Sequence, residues 1–188
     1  MLNTVDVGLM ANHLDAHKGI IKRLELYLNH AKNQQFIHTL EQQIGILKNH
    51  VKVMNQLLDP NNTSPVTLPS IPQSTLNGGK QTSSVDIGLV DRDMAFDAHF
   101  TANAMAKDNF VSSNDMKNQQ VKQLHSGMAM QQSHIGNQYE MLAQQLGWLN
   151  PPQATNLEQT NSISPLNNTP PIGAMKNHKY GEQQYPQQ

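Results

Sequence analysis

Hydrophobic residues in the first part of the chain recur three and four residues apart, which is the spacing of one face of an α-helix. A first stripe of this kind covers residues 10–31 and includes His17. A second covers residues 37–58 and ends where Pro60 follows, because proline cannot continue a helix. The pattern therefore predicts two long helices.

These helices are expected to pair as an antiparallel hairpin over residues 1–58. Asn33 supplies a turn or helix cap between the two stripes, although no Gly or Pro marks the break, and one continuous helix is the alternative. Residues 59–83 are rich in Pro, Ser, Thr, Asn and Gly and form a linker. This linker is long enough to cross from one end of a helical bundle to the other.

A second hairpin is predicted over residues 84–152. Its first helix is expected to begin at a Ser84 cap and to end near Phe110, with Leu89, Phe96, either His99 or Phe100, and Phe110 among its inward residues. A turn at residues 112–115 then leads into a Gln-rich helix. The inward residues expected on this last helix are Val121, Leu124, Met128, Ile135, Tyr139, Leu142 and Leu146.

The predicted fold is all-α: a four-helix, ferritin-like bundle of two hairpins joined by a long crossover linker. Residues 153–188 show no periodicity and are dominated by Asn, Gln, Pro and Ser, which predicts a disordered tail. Two short segments also recur in order. Residues 5–9 (VDVGL) return as 85–89 (VDIGL), and 14–17 (LDAH) return as 96–99 (FDAH), as an ancient duplication of the hairpin would produce.

Composition narrows the function classes. Thirteen Lys and Arg against fourteen Asp and Glu give a net charge of −1, so no basic surface indicates nucleic acid or anionic lipid as a partner. No stretch has the length and apolarity of a membrane span or a signal peptide, which predicts synthesis in a cytoplasm. Cysteine is absent, which excludes disulfide scaffolds and thiol chemistry. Asn and Gln make up 41 of the 188 residues.

Catalytic motifs are missing from the sequence. Ferritin-like dimetal centres use carboxylates and Glu-x-x-His pairs on facing helices, but no Glu-x-x-His occurs here. Glu41 follows His38 in the reverse order, and Glu140 lies six residues after His134. We therefore expect no cofactor and no enzymatic activity.

Three histidines are the candidate metal ligands. His13 and His17 lie four residues apart on one helix, and His99 occupies the position of His17 in the second repeat; imidazoles in such an arrangement suit zinc or copper. We favour the interpretation that they are polar residues that hydrogen-bond across the bundle. A facing pair of His17 and His99 would also make the packing sensitive to pH.

Residues 84–152 contain an Asp-rich helix, a Ser/Asn/Asp turn into a Gln-rich helix and, above all, the closing sequence YEMLAQQLGWLNP at residues 139–151. In these features they resemble the coat F family of spore-forming bacteria. This chain has Leu149 where the family usually has Tyr. The resemblance implies a ferritin-like bundle, usually without intact metal ligands, that is made in the mother cell and deposited in the coat of the endospore.

The function expected on this basis is that of a structural spore coat component, which packs against other coat proteins or a second copy of itself. The alternatives are a metal-binding bundle with redox or storage activity and a soluble adaptor without a coat role. The tail also carries residue types that coats cross-link through glutamyl-lysine or dityrosine bonds, and a plain solubilising tail is the simpler alternative. The candidates are Lys176, Lys179, Tyr180, Gln183, Gln184 and Tyr185.

Overall fold

Four long helices form a bundle, as the sequence predicts. The computed structural model describes residues 2–73 and 87–163, and in this part of the chain the structure is all-helical. The chain divides into two units, Met1–Asn150 with the bundle and Pro151–Gln188 with one short helix. The helices are α1 (Thr4–Leu28), α2 (Gln34–Leu58), α3 (Asp91–Asp115), α4 (Gln119–Gln145) and α5 (Asn156–Asn161).

Contacts between the hairpins fix the helix directions. Along α1, His13 bonds Ser112 and Tyr27 bonds Asp97, so α1 and α3 run antiparallel. Gln43 of α2 likewise bonds Tyr139. Since each helix is also antiparallel to the partner in its own hairpin, α2 and α3 run parallel. The connection between α2 and α3 must therefore return along the length of the bundle, as expected.

Asparagine caps begin the second helix of each hairpin. Asn33 accepts hydrogen bonds from the backbone N–H groups of Gln35 and Phe36, which confirms its predicted role. Asn118 does the same at the start of α4. The predicted turn at residues 112–115 is wrong, because these residues complete α3 and the turn lies between Asp115 and Gln119. Serines in the last turn of α3 are satisfied by side-chain hydrogen bonds within the bundle and do not end the helix.

Two carboxylates join the hairpins reciprocally. Asp6 in the first turn of α1 accepts from the backbone N–H groups of Lys117 (2.7 Å) and Asn118 (3.1 Å), just before α4. Asp91, the first residue of α3, accepts from the N–H groups of Lys32 (3.1 Å) and Asn33 (2.6 Å), just before α2. Each hairpin thus caps the other through the same contact.

This reciprocal contact reveals the register of the repeat. The tetrapeptide KNQQ occurs at residues 32–35 and again at 117–120, in equivalent turns. The match of residues 5–9 with 85–89 has a different structural meaning. Residues 5–9 are helical, whereas residues 87–90 precede α3 and Gly88 has a φ of 68°, a conformation that favours glycine. Residues 85 and 86 lie outside the described residues.

Helix α3 differs most from the prediction. It begins at Asp91, and Val90 at its N-cap gives no side-chain cap; Ser84 lies outside the described residues. Leu89, Phe100 and Phe110 are 42%, 67% and 57% exposed, so the predicted inward positions of Leu89 and Phe110 are wrong. Of the alternatives His99 and Phe100, His99 is the half-buried one, and Phe96 is half-buried as well. Apolar residues occur on every side of α3, so spacing alone does not select a face. Small and flexible side chains pack inward instead, namely Met94, Ala95, Ala98, Ala102 and Met105.

The described part of the linker packs against the bundle. The carbonyl groups of Val66, Pro69 and Pro72 accept hydrogen bonds from Gln120, Gln131 and Gln42 of α2 and α4. We call residues 66–72 the strap. At the closest point a Cβ added to Gly45 would lie 2.6 Å from Cγ of Pro72, so glycine is required there for the strap to fit. Residues 74–83 of the predicted linker lie outside the described residues.

The C-terminal unit contains a short helix where a fully disordered tail was predicted. Thr155 caps α5 by accepting from the backbone N–H of Glu158, whose carboxylate accepts in return from the N–H of Thr155. Such a reciprocal capping box stabilises a helix end without tertiary contacts. Within the predicted tail, residues 156–161 form this short helix, and residues 164–188 lie outside the described residues.

Candidate functional site

A row of four buried histidines crosses the bundle core. His13 and His17 come from α1, His50 from α2 and His125 from α4; His13 is 5% exposed and the other three are fully buried. In the order His125, His13, His17, His50, the centroids of neighbouring rings are 5.2, 6.3 and 5.7 Å apart. We call these residues the histidine row.

The histidine row divides the hydrophobic core along α1 and α2. One apolar cluster contains Leu24 of α1 and Leu47 of α2, and a second contains Met10 and Val53. The histidines follow the inward stripe of each helix, and an imidazole thus takes the place of an apolar side chain at the level where the two clusters meet. The core is polar at this level and apolar on either side.

His13 is the member of the row with partners at both ring nitrogens. Its Nε2 lies 3.0 Å from Oγ of Ser112, and its Nδ1 lies 3.5 Å from a carboxylate oxygen of Asp108. Both partners belong to α3. Asp108 is 68% exposed, so this contact lies at the edge of the bundle and is screened by solvent.

The other three imidazoles each donate one N–H to an oxygen that can only accept. Nδ1 of His17 donates to the backbone carbonyl of His13 at 2.6 Å. Nε2 of His50 donates to Oε1 of Gln131 at 2.9 Å, and the Nε2 group of Gln131 in turn donates to the Pro69 carbonyl. Because that second bond fixes which end of the amide faces His50, the tautomer of His50 is fixed as well.

His125 is held in the same way. Its Nδ1 lies 3.1 Å from Oδ1 of Asn109, whose Nδ2 group donates to the carbonyl of Met105. With one N–H donated, each of the three rings is left with a lone pair on its second nitrogen. These atoms are Nε2 of His17, Nδ1 of His50 and Nε2 of His125, and each is buried without a hydrogen-bond partner among the described residues.

Burial keeps the row uncharged. It lowers the pKa of His17 to about 4 and the pKa values of His50 and His125 to about 3, because a buried imidazolium loses its hydration. Burial also lowers the pKa of His13, and the nearby carboxylate of Asp108 opposes this effect. At neutral pH the interior therefore holds neutral imidazoles.

Two of the three predicted ligand candidates come together in the row, and the third does not. His99 hydrogen-bonds the carbonyl of Gly136 at 2.9 Å and packs edge-on against Phe100. The imidazoles that face His17 are those of His13 and His50, so the predicted pairing of His17 with His99 is wrong. The rotation of α3 that exposes Phe100 also turns His99 toward Gly136.

Sequence reasoning missed His50 and His125. Both continue the three-and-four spacing of their helices: His50 follows Leu47 by three residues, and His125 precedes Met128 by three. A histidine within such a stripe signals a polar core position, so this signal was available. Which rings meet depends on the rotation of three helices about their axes, and spacing within one helix does not determine that rotation.

Among residues 2–73 and 87–163, no group of three or more His, Asp or Glu side chains is arranged to hold a metal ion. In this part of the chain no helix is long and apolar enough to span a membrane. The cross-linking candidates Lys176, Lys179, Tyr180, Gln183, Gln184 and Tyr185 lie outside the described residues.

Comparison with known proteins gives a match of fold. No family model matches the sequence, and no curated protein matches it. The structure is similar to a crystal structure from Bacillus halodurans C-125 described as a "putative spore coat protein", with a TM-score of 0.65 and 17% sequence identity; the match covers 82% of this chain and 96% of that one. At this identity the likeness shows a shared fold, and the resemblance to the coat F family stays a prediction.

Proposed function

We propose that this protein is a structural component of the bacterial endospore coat and that it acts through protein–protein packing, without catalysis. The observation that carries the proposal is the likeness of the bundle to nearly the whole of a protein described as a spore coat protein. The closing sequence at residues 139–151 supports the same assignment independently, because it resembles the coat F family.

The surface of α3 supports a packing role. Phe100 and Val111 are large apolar residues that are 67% and 59% exposed. They lie on one side of the helix together with the exposed residues Ala104 and Lys107, because the spacings are three and four residues. Large apolar side chains grouped on a surface are typical of protein–protein contact sites. We infer that this face of α3 contacts other coat proteins or a second copy of the chain.

Fractionation tests the proposal directly. Spores and vegetative cells of the source organism are separated, and the coat extract, the spore core and the vegetative cytoplasm are each searched for peptides of this protein. We expect the peptides in the coat extract, where the soluble adaptor alternative expects them in the vegetative cytoplasm. Peptides confined to the vegetative cytoplasm would contradict the proposal.

We further propose that the tail takes part in covalent coat assembly. A glutamyl-lysine bond forms when the amine of Lys176 or Lys179 replaces the amide nitrogen of Gln183 or Gln184 from another chain and releases ammonia. A dityrosine bond joins two tyrosine rings, such as those of Tyr180 and Tyr185, and needs a two-electron oxidant such as hydrogen peroxide.

Mass spectrometry of purified coats tests this second step. Cross-linked peptides that contain the tail residues are expected, and their share should fall when the glutamines are replaced by Asn and the lysines by Arg. Complete recovery of every tail peptide in unmodified form would show that the tail only solubilises the protein.

A further inference from the structure

Three members of the histidine row, His17, His50 and His125, have no hydrogen-bond partner for an added proton among the described residues. His17, His50 and His125 already donate from one ring nitrogen, and the second nitrogen of each faces no hydrogen-bond partner among the described residues. A proton added there would create a buried cation with an unsatisfied donor. It would also lie within one ring spacing of a further imidazole.

The charged groups around the row give little compensation. From α3, Asp108 faces His13 and contributes weakly at His17. The titratable groups that act on His50 of α2 and on His125 of α4 are other histidines of the row, and each of them opposes protonation. The remaining hydrogen-bond partners of the row side chains are neutral: Ser112, Asn109 and Gln131.

We propose that the histidine row is an acid-sensitive lock: neutral, it holds α1 against α2 and α4, and protonation separates these helices and opens the bundle. Its position supports this role, because it lies where the two apolar clusters meet and includes residues of three helices. Opening at this level would expose Met10 and Leu24 on either side of it, which are fully buried in the closed bundle. The bundle would thus present a new apolar surface in mild acid.

The sign of the effect follows from proton linkage. In the open or unfolded chain the imidazoles bind protons near pH 6.5, whereas in the closed bundle they bind them only at lower pH. Opening therefore takes up protons. The contribution of the row to stability is fully present above about pH 6.5. It is lost as the pH falls toward the pKa values that the imidazoles have in the closed bundle.

Equilibrium unfolding of the full chain in urea, repeated across this range, tests the proposal. Between about pH 6 and 5, unfolding that takes up about three protons raises the unfolding constant about a thousandfold per pH unit. This window lies above the range in which Asp and Glu titrate in an unfolded chain, so the imidazoles dominate it. An uptake of one proton or fewer would overturn the proposal.

Variants test whether the protons taken up on unfolding bind to the histidine row. His50→Gln and His125→Gln should each reduce the rise of the unfolding constant by about tenfold per pH unit. This holds whether the variant is more or less stable than the wild type at neutral pH. His134→Gln removes a solvent-exposed imidazole from α4 and serves as the matched control, with the slope of the wild type. A wild-type slope in both row variants would contradict the proposal.

A measurement on the wild type covers the case in which a row variant does not fold. In the folded protein the ring C–H resonances of His17, His50 and His125 should keep their neutral positions from about pH 7.5 down to about pH 5.5. These resonances should then change together with the loss of tertiary structure. Titration of any of these three histidines near pH 6.5 within an intact bundle would overturn the lock.

Discussion

The hydroxyl group of Tyr139 on α4 donates a hydrogen bond of 2.8 Å to Oε1 of Gln43 on α2, and both side chains are buried. This bond lies within the apolar cluster that contains Leu24 and Phe36, beside the edge-on contact between the rings of Phe36 and Tyr139 at 6.1 Å. It fixes the register of the two helices in a part of the core that is otherwise apolar.

Replacement of Tyr139 by Phe should therefore destabilise the bundle. The variant keeps the ring and leaves the carbonyl oxygen of Gln43 buried without its donor, which costs about 1–3 kcal/mol in the free energy of unfolding. Tyr27→Phe is the matched control, because the hydroxyl of Tyr27 bonds the half-buried carboxylate of Asp97 and solvent can replace that bond. If urea unfolding shows an equal loss of free energy of unfolding in Tyr139→Phe and Tyr27→Phe, the buried bond contributes no more to stability than the half-buried one.

The reciprocal contacts of Asp6 and Asp91 give a second prediction. Asp6→Ala and Asp91→Ala each remove a carboxylate that accepts from two backbone N–H groups at the start of a helix in the other hairpin. Each should lower the free energy of unfolding by about 1–2 kcal/mol. Asp15→Ala, at an exposed position of α1, should change it by less than about 0.5 kcal/mol.

The double variant distinguishes independent caps from a coupled pair. Because the two contacts involve different turns and share no partner, the losses in Asp6→Ala/Asp91→Ala should add to within about 0.5 kcal/mol. A much smaller combined loss would mean that one cap already depends on the other.

The fit of the strap is tested at Gly45. Gly45→Ala places a methyl group against the ring of Pro72, so the strap must move and the free energy of unfolding should fall by about 1–3 kcal/mol. Gly19→Ala is the control, since nothing lies within 4 Å of the added Cβ on α1. It should raise stability by about 0.5–1 kcal/mol.

Relief of the same contact provides a rescue. Pro72→Ala removes the Cγ atom that meets the new methyl group, so stability in Gly45→Ala/Pro72→Ala should lie above that of Gly45→Ala alone. If the double variant is no more stable than Gly45→Ala, Gly45 matters for a reason other than its contact with the strap.

Metal content separates the structural proposal from the alternative of a metal-binding bundle. Elemental analysis of the protein purified without chelators should give no stoichiometric iron or manganese, because the interior offers imidazoles and amides where dimetal sites need carboxylates. It should give no stoichiometric zinc or copper either, because no group of three or more His, Asp or Glu side chains among the described residues is arranged to hold an ion. One or more ions per chain, lost together with the histidines of the row, would contradict this expectation.

The sequence was sufficient to predict the four helices but not their rotation. The stripes on α1 and α2 follow one face, and that on α4 does so although Gly127 and Gly136 weaken it. These helices lie where the spacing puts them, with Asn33 as the cap of α2. On α3 apolar residues occupy every side, so the inward position of Ala98 and the exposure of Phe100 were decided by close packing with neighbouring helices. The KNQQ repeat was visible in the sequence, but its meaning depends on Asp6 and Asp91.

The histidine row likewise could not be predicted from the spacing of residues within one helix. His13 and His17 were singled out by their spacing on one helix, while His50 and His125 belong to it through contacts between residues far apart in the chain. Each of these residues follows the local helical pattern, but their assembly into a row is a property of the bundle. The polar level in the core therefore became evident only from the packed structure.

The most direct test of the structural coat role is the location of a fluorescent fusion of the full chain in sporulating cells of the source organism. The account predicts a shell around the forespore that persists on the released spore. It also predicts that Phe100→Ser/Val111→Ser weakens this shell, while Gln123→Ser, an exposed polar position of α4, does not. Diffuse fluorescence in the mother cell for the wild-type fusion, with no enrichment at the spore surface, would contradict the account.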